Sequence, residues 1–114
     1  MDGITLEHIG DTTILRCSRA ITINNISEFM ALFGTLIQRP EMERIMFVLS
    51  PQTRVDASGI GFLVQMHALL VGGHKRLYLC MPPQETLDIL KELELTAFLR
   101  ILTSEEALLL RLPD

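Results

Sequence analysis

Residues 44–73 read "RIMFVLSPQTRVDASGIGFLVQMHALLVGG", a strand pattern that runs into a helix pattern. "RIMFVLS" is a continuous apolar run of strand length, as expected for a strand covered on both faces. "FLVQMHALLVGG" is apolar nearly all round and stops at Gly72 and Gly73. It reads as a buried helix with a glycine C-cap. Between them stands "VDASGIG", Val55 to Gly61, with a serine set between a carboxylate and two glycines. A nucleophile, a phosphate cradle, a phosphorylation site and a plain helix cap all predict something similar there.

The flanking sequence supplies the rest of an alternating fold. Upstream, "ITLEHIG" alternates apolar and polar residues, Gly10-Asp11 makes a turn and "TTILRCS" resumes an extended pattern. That is a hairpin with Ile14 and Cys17 among its buried residues. From Asn25 the period becomes helical, with Ile26, Phe29, Met30, Phe33, Leu36 and Ile37 on one face. Asn25 followed by Glu28 is an N-cap signature, and Pro40 lies just past the end. Downstream, "KRLYLCM" is another strand, broken by Pro82 and Pro83, and Pro83 suits a first helical turn. "QETLDILKELEL" is an amphipathic helix with Leu87, Leu90 and Leu93 inward. "AFLRIL" is a short last strand, and Thr103 with Glu106 forms a capping box for a final helix, "SEEALLLRL". The order is strand, strand, helix, strand, helix, strand, helix, strand, helix. It predicts one α/β domain over residues 1–114, with a mixed, mostly parallel sheet of about five strands and about four helices packed on it.

Composition narrows the function. The chain has 114 residues, 48% of them apolar, which argues against disorder. There is no Trp and one Tyr, so the core is expected to be aliphatic with a few Phe and Met. A net charge of -4 without a Lys/Arg cluster offers no footprint for nucleic acid or for an anionic membrane surface. The stretch from Ile60 to Val71 is interrupted by Gln65 and His67 and is too short to span a bilayer. The opening "MDGITLEH" lacks the basic-then-apolar pattern of a signal peptide. A soluble cytoplasmic protein without direct membrane insertion is expected, with Cys17 and Cys80 as buried free thiols.

Each chemical reading of "VDASGIG" makes demands that can be checked. A nucleophile elbow wants glycine two residues before and after its serine. Around Ser58 those positions hold Asp56 and Ile60, and none of His8, His67 or His74 is placed as a base. The dinucleotide fingerprint finds Gly59 and Gly61 but meets Val64 at its third position. The His and Cys residues are scattered, so no metal site or other cofactor is expected. His67 reads as a core or edge histidine with a satisfied ring nitrogen. Capping explains Asp56, whose carboxylate would accept from the Gly59 amide. It does not explain two glycines in the first turn, which weaken a helix by up to about 1 kcal/mol each relative to Ala. Small residues would keep the surface around Ser58 low and its hydroxyl reachable. A phosphoserine there would add up to about two negative charges beside Asp56. The combination describes a switch better than a catalyst, and no catalytic residue is assigned.

"VDASGIGFL", placed after a hairpin, a helix and an apolar strand, resembles the D-[ST]-S-G signature of STAS domains. More narrowly, it is similar to the bacterial anti-sigma-factor antagonists. The resemblance extends over essentially the whole chain, including "KRLYLC" and "LKELELTAFLRILTSEEALLL". It implies a module that, when unphosphorylated, binds an anti-sigma-factor serine kinase and so frees a sigma factor for transcription. The kinase phosphorylates the motif serine and weakens the complex, and a serine phosphatase reverses this. Carried over by position, the acceptor is Ser58 and the motif acid is Asp56. Ala57 stands where a second hydroxyl is usual, and Gly59 and Gly61 hold the helix start. Family members often leave the second strand through a G-x-L-D-like turn that contributes to the partner surface. Here that region is "SRAITINN", so the expected contacts are Thr22, Asn24 and Asn25, with Arg54 and Ile60 from beside the motif. The alternative is a STAS subunit of a lipid-transport ATPase complex or of a stress-signalling scaffold, docking without phosphorylation.

Overall fold

A computed structural model describes residues 2–103. The elements are β1 (Ile4–Ile9), β2 (Thr12–Cys17), α1 (Ile26–Ile37), β3 (Arg44–Leu49), α2 (Ala57–Gly72), β4 (Arg76–Cys80), α3 (Gln84–Glu92) and β5 (Arg100–Leu102). The strands form one sheet in the order β1-β2-β3-β4-β5. β1 pairs antiparallel with β2, and every later neighbour is parallel. The expected alternation and mixed sheet are therefore present. The last expected helix, "SEEALLLRL", lies outside the described residues.

Each parallel strand adds on the same side of its predecessor. Right-handed crossovers then carry every intervening helix over the same face of the sheet. The packing agrees: α1, α2 and α3 all contribute to one core with Leu15, Ile45, Phe47, Leu77 and Leu79. The other face of the sheet carries a second buried cluster of Ile14, Met46, Val48, Tyr78 and Cys80. β3 is thus apolar on both faces because both are buried, as its unbroken sequence predicted. Phe29 and Phe33 of α1 meet Phe47 and Phe62, with Phe33 and Phe62 edge-to-face at 5.2 Å. This aromatic knot fixes α1 beside α2. Cys17 and Cys80 are buried and form no disulfide among the described residues, and burial pushes the Cys17 thiol up.

Several local expectations are corrected. Met30 is exposed on α1, while Phe29, Phe33 and Leu36 carry its buried face. Asn25 stands at the N-cap of α1 without a side-chain cap bond. Its carboxamide reaches back instead: Oδ1 accepts from the Thr22 amide at 2.9 Å and Nδ2 donates to the Ala20 carbonyl at 2.6 Å. Leu93 is 56% exposed because α3 ends sooner than its leucine period suggests. Glu94 turns left-handed at φ 59°, its amide bonds the Lys91 carbonyl and the Leu95 amide bonds the Leu90 carbonyl at 2.8 Å. That is a Schellman close, which sends Leu95 rather than Leu93 toward the core.

The end of α2 closes the same way, and the left-handed residue is His74 at φ 62°, not either glycine. Gly73 has φ -95°. The His74 amide bonds the Val71 carbonyl and the Lys75 amide bonds the Leu70 carbonyl at 2.7 Å. An L-residue in that conformation costs about 1 kcal/mol that glycine avoids. His74→Gly is therefore expected to raise unfolding stability by about that amount, read as a higher urea midpoint at unchanged slope.

Candidate functional site

The residues singled out in "VDASGIG" and "SRAITINN" meet at the C-terminal ends of β2 and β3. Both strands leave the sheet there, and their loops are cross-linked before α2 begins. Ile21 and Val55 form an isolated parallel bridge. The Ile21 amide donates to the Arg54 carbonyl at 2.7 Å, and the Asp56 amide donates back to the Ile21 carbonyl at 3.2 Å. Below them Thr53 is buried, its hydroxyl donating to the Cys17 carbonyl at 3.0 Å. The helix start is thus mounted on a loop pair with little freedom.

Asp56 is extended and caps α2, its Oδ1 accepting from the Gly59 amide at 2.9 Å as the sequence predicted. Its Oδ2 accepts from the Ile23 amide at 3.1 Å. The Gly59 amide, with those of Ile23 and Ser58, holds the Asp56 carboxyl below its ordinary range. The group is ionised at neutral pH. These bonds persist above the ordinary carboxylate range and are lost only as pH falls through the lowered value.

The two glycines have different reasons. Gly59 is buried, and a Cβ on it would lie 2.3 Å from the Ile21 carbonyl oxygen and 2.7 Å from Val55 Cγ1. It is a close-packing residue under the crossing loop. Gly61 is exposed, and a Cβ there would meet nothing within 4 Å. Only Gly61, together with exposed Ala57, keeps the surface around the half-buried Ser58 low. No described residue hydrogen-bonds the Ser58 hydroxyl.

Thr22, Asn24, Arg54 and Asp56 line one groove of about 740 Å³, whose far wall is the start of α3 from Pro83 to Thr86. Three of the expected contacts are therefore gathered beside the motif. Asn25 is not among them, because its side chain is engaged within its own loop. Ile60 is corrected outright: at 5% exposure it belongs to the core and presents nothing to a partner. Sequence reasoning missed Ile23, which is 69% exposed directly above Asp56. The available signal was an isoleucine set among Thr22, Asn24 and Asn25, ahead of the start of α1.

His67 lies nine residues along α2 from Ser58, roughly 13 Å at 1.5 Å per residue. Its ring packs edge-on against Phe98 at 4.7 Å. Nδ1 is buried without a hydrogen-bond partner among the described residues, so the expected satisfied nitrogen is not found there. Burial, with Arg100 nearby, pushes the imidazole pKa down and keeps the ring neutral. It cannot serve Ser58 as a base from that distance. Among the described residues no three His, Cys, Asp or Glu side chains cluster to hold a metal, and no helix is long and apolar enough to cross a membrane.

A family model described as "STAS domain" matches residues 3–108. The anti-sigma factor antagonist SpoIIAA in its unphosphorylated form superimposes with a TM-score of 0.69 at 17% identity, covering 93% of each chain. The Bacillus cell fate determinant SpoIIAA in its phosphorylated form gives 0.67 at 19% identity, covering 92% of this chain and 96% of that one. A candidate anti-sigma factor antagonist from Thermotoga maritima gives 0.82 at 16% identity, covering 93% and 91%. At these identities the likeness is one of fold. A search of curated proteins by sequence found no match.

Proposed function

Because this chain belongs to the STAS-domain family, we propose that it acts as an anti-sigma-factor antagonist, a binding module switched by phosphorylation of Ser58. The observation that carries this reading is the Ser58 hydroxyl. It sits in the first turn of α2, unpartnered by any described residue, with exposed Ala57 and Gly61 leaving room for another protein's backbone. The likeness in fold to SpoIIAA, solved in unphosphorylated and phosphorylated forms, supports it.

In this role the unmodified surface binds an anti-sigma-factor serine kinase in the cytoplasm and thereby releases a sigma factor. The chemistry is the kinase's: Ser58 Oγ bonds to the γ-phosphorus of ATP, ADP leaves and the hydroxyl proton is given up. The product carries up to about two new negative charges a short step from the ionised Asp56. Helix amides favour an anion at this end, so the modified helix stays folded while the interface is spoiled. A serine phosphatase restores the hydroxyl. Incubation with the cognate kinase and ATP is expected to add one phosphate, mapped to Ser58 by peptide mass, and Ser58→Ala is expected to abolish it. Wild-type protein left unmodified by a kinase that it binds would contradict the proposal.

A second reading, docking without phosphorylation in a lipid-transport ATPase complex or a stress-signalling scaffold, draws on the apolar Ile23 at the centre of the β2–α1 loop. Co-purification separates the two: a soluble kinase supports the switch, and a membrane transporter or a large scaffold supports docking alone.

A further inference from the structure

The three described helices pack on one face of the sheet, yet the opposite face is not open to water. Ile14, Met46, Val48, Tyr78 and Cys80 form its cluster, and none is more than 4% exposed within a single chain. No apolar residue of α1, α2 or α3 belongs to that cluster. Met81 and Leu102 pack against it, but they stand where β4 and β5 end and close one edge only. Neighbouring strands flank a side chain in the plane of the sheet and do not cover its tip. Something therefore lies across the middle of this face.

The sheet register also gathers arginines there. Arg16 stands beside Val48, Arg44 beside Arg76 and Arg100 beside Tyr78. Paired residues share a face and alternate residues along a strand return to it. All four arginines thus surround the apolar middle, with Arg100 Cζ 5.9 Å from the centre of the Tyr78 ring. Asp11 pairs with Arg44 at 3.1 Å, and none of Arg16, Arg44, Tyr78 and Cys80 is without a partner. Arg76 Nη1 is buried with no hydrogen-bond partner among the described residues. A guanidinium nitrogen shut off from water marks the same overlying element.

That element belongs to this chain, because the burial exists in one copy. Beyond the described residues the chain has Met1 and residues 104–114. One methionine cannot cover three strands. The stretch "SEEALLLRLPD" matches the face in kind: Leu108, Leu109, Leu110 and Leu112 suit its apolar middle, and Glu105, Glu106 and Asp114 suit its cationic rim. It follows directly on Thr103, beside the end of β5. From β5 back to β2 is three strand spacings, about 14 Å. Eleven residues reach about 16 Å even when fully helical.

We propose that the second face of the sheet is an internal docking surface and that its occupant is residues 104–114 of the same chain. Leucines seat on the Met46–Tyr78 cluster, and carboxylates meet the arginine rim. The cover keeps the Cys80 thiol from solvent and withholds an arginine-rimmed apolar surface from other proteins.

The full chain tests this by NMR. Tyr78 is the only tyrosine, so its ring protons form one assignable set. They are expected to show nuclear Overhauser contacts to leucine methyls within residues 108–112, and their absence overturns the proposal. A sample mixed from differently labelled copies must show the contacts within a chain. Contacts found only between chains would make a second copy the occupant and overturn it too. The rim is tested by the double variant Glu105→Lys, Glu106→Lys treated with iodoacetamide. Loss of the cover is expected to add one label, mapped to Cys80, while Cys17 on the helix-covered face stays unlabelled as in wild type. Cys80 as protected as in wild type overturns the pairing with the arginines. A variant that labels at both thiols has unfolded, and the wild-type contacts then decide.

Discussion

Gly59→Ala is expected to destabilise the protein by about 2 kcal/mol, whereas Gly61→Ala, two residues along the same helix, is expected to stabilise it by up to about 1 kcal/mol. Both changes gain the same helix propensity, about 1 kcal/mol in favour of alanine. They differ in what the new methyl group meets. At Gly59 it lies 2.3 Å from the Ile21 carbonyl oxygen and 2.7 Å from Val55 Cγ1. Neither neighbour is the free end of a flexible side chain. The Ile21 carbonyl accepts the Asp56 amide, and Ile21 and Val55 are bridged to each other. The clash therefore has to be relieved by backbone movement, at the upper end of the roughly 1–3 kcal/mol typical of overpacking. At Gly61 nothing lies within 4 Å of the added carbon, so the propensity gain is unopposed. Denaturant unfolding of both variants checks the pair. If Gly59→Ala proved as stable as wild type, the tight crossing of the two loops would not exist in solution. The same contrast has a functional side: Gly61→Ala should weaken partner binding despite its extra stability, because it raises the surface beside Ser58.

Ser58→Asp is expected to bind the serine kinase at least about thirtyfold more weakly than wild type, with Ser58→Ala close to wild type. An unpaired charge placed in an interface costs about 2–5 kcal/mol, which is about a 30-fold loss of affinity or more. The charge already present at Asp56 is satisfied by the Gly59 and Ile23 amides and has no spare donor to share. A second carboxylate in the first turn of α2 still enjoys the positive end of the helix dipole. The variant should therefore melt near wild type, so that a loss of affinity reports on the interface and not on the fold. Equal affinity for Ser58→Asp and wild type, measured by titration calorimetry, would count against a charge switch.

The fold was legible because its signals are local. The apolar run of β3, the alternation of β1 and the glycine-ended period of α2 each sit within one element. So does the Asp56 cap, a contact between residues three apart. What was not legible depends on partners distant in sequence. Ile60 looked available beside Ser58, yet the rotation of α2 against the sheet turns it into the core. Gly59 resembled Gly61 until the Ile21 carbonyl, contributed by another loop, explained one of them alone. Asn25 fits the capping pattern, but its carboxamide finds better-placed partners in Ala20 and Thr22. Leu93 looked inward because nothing in its sequence marks Glu94, a residue other than glycine, as the left-handed close of α3; Gly73 caps α2 as expected, with His74 as the left-handed residue beyond it. Ile23 gave only a weak signal, since exposure of an apolar residue is read from packing and not from its neighbours in sequence.

Whether Ser58 is a phosphorylation switch can be read from the intact mass of the protein purified from its native cell. Two populations differing by one phosphate are expected, the modification mapping to Ser58 and the modified form absent from complexes with the kinase. A single unmodified mass under every growth condition, with Ser58 buried in a stable complex with another assembly, would contradict it.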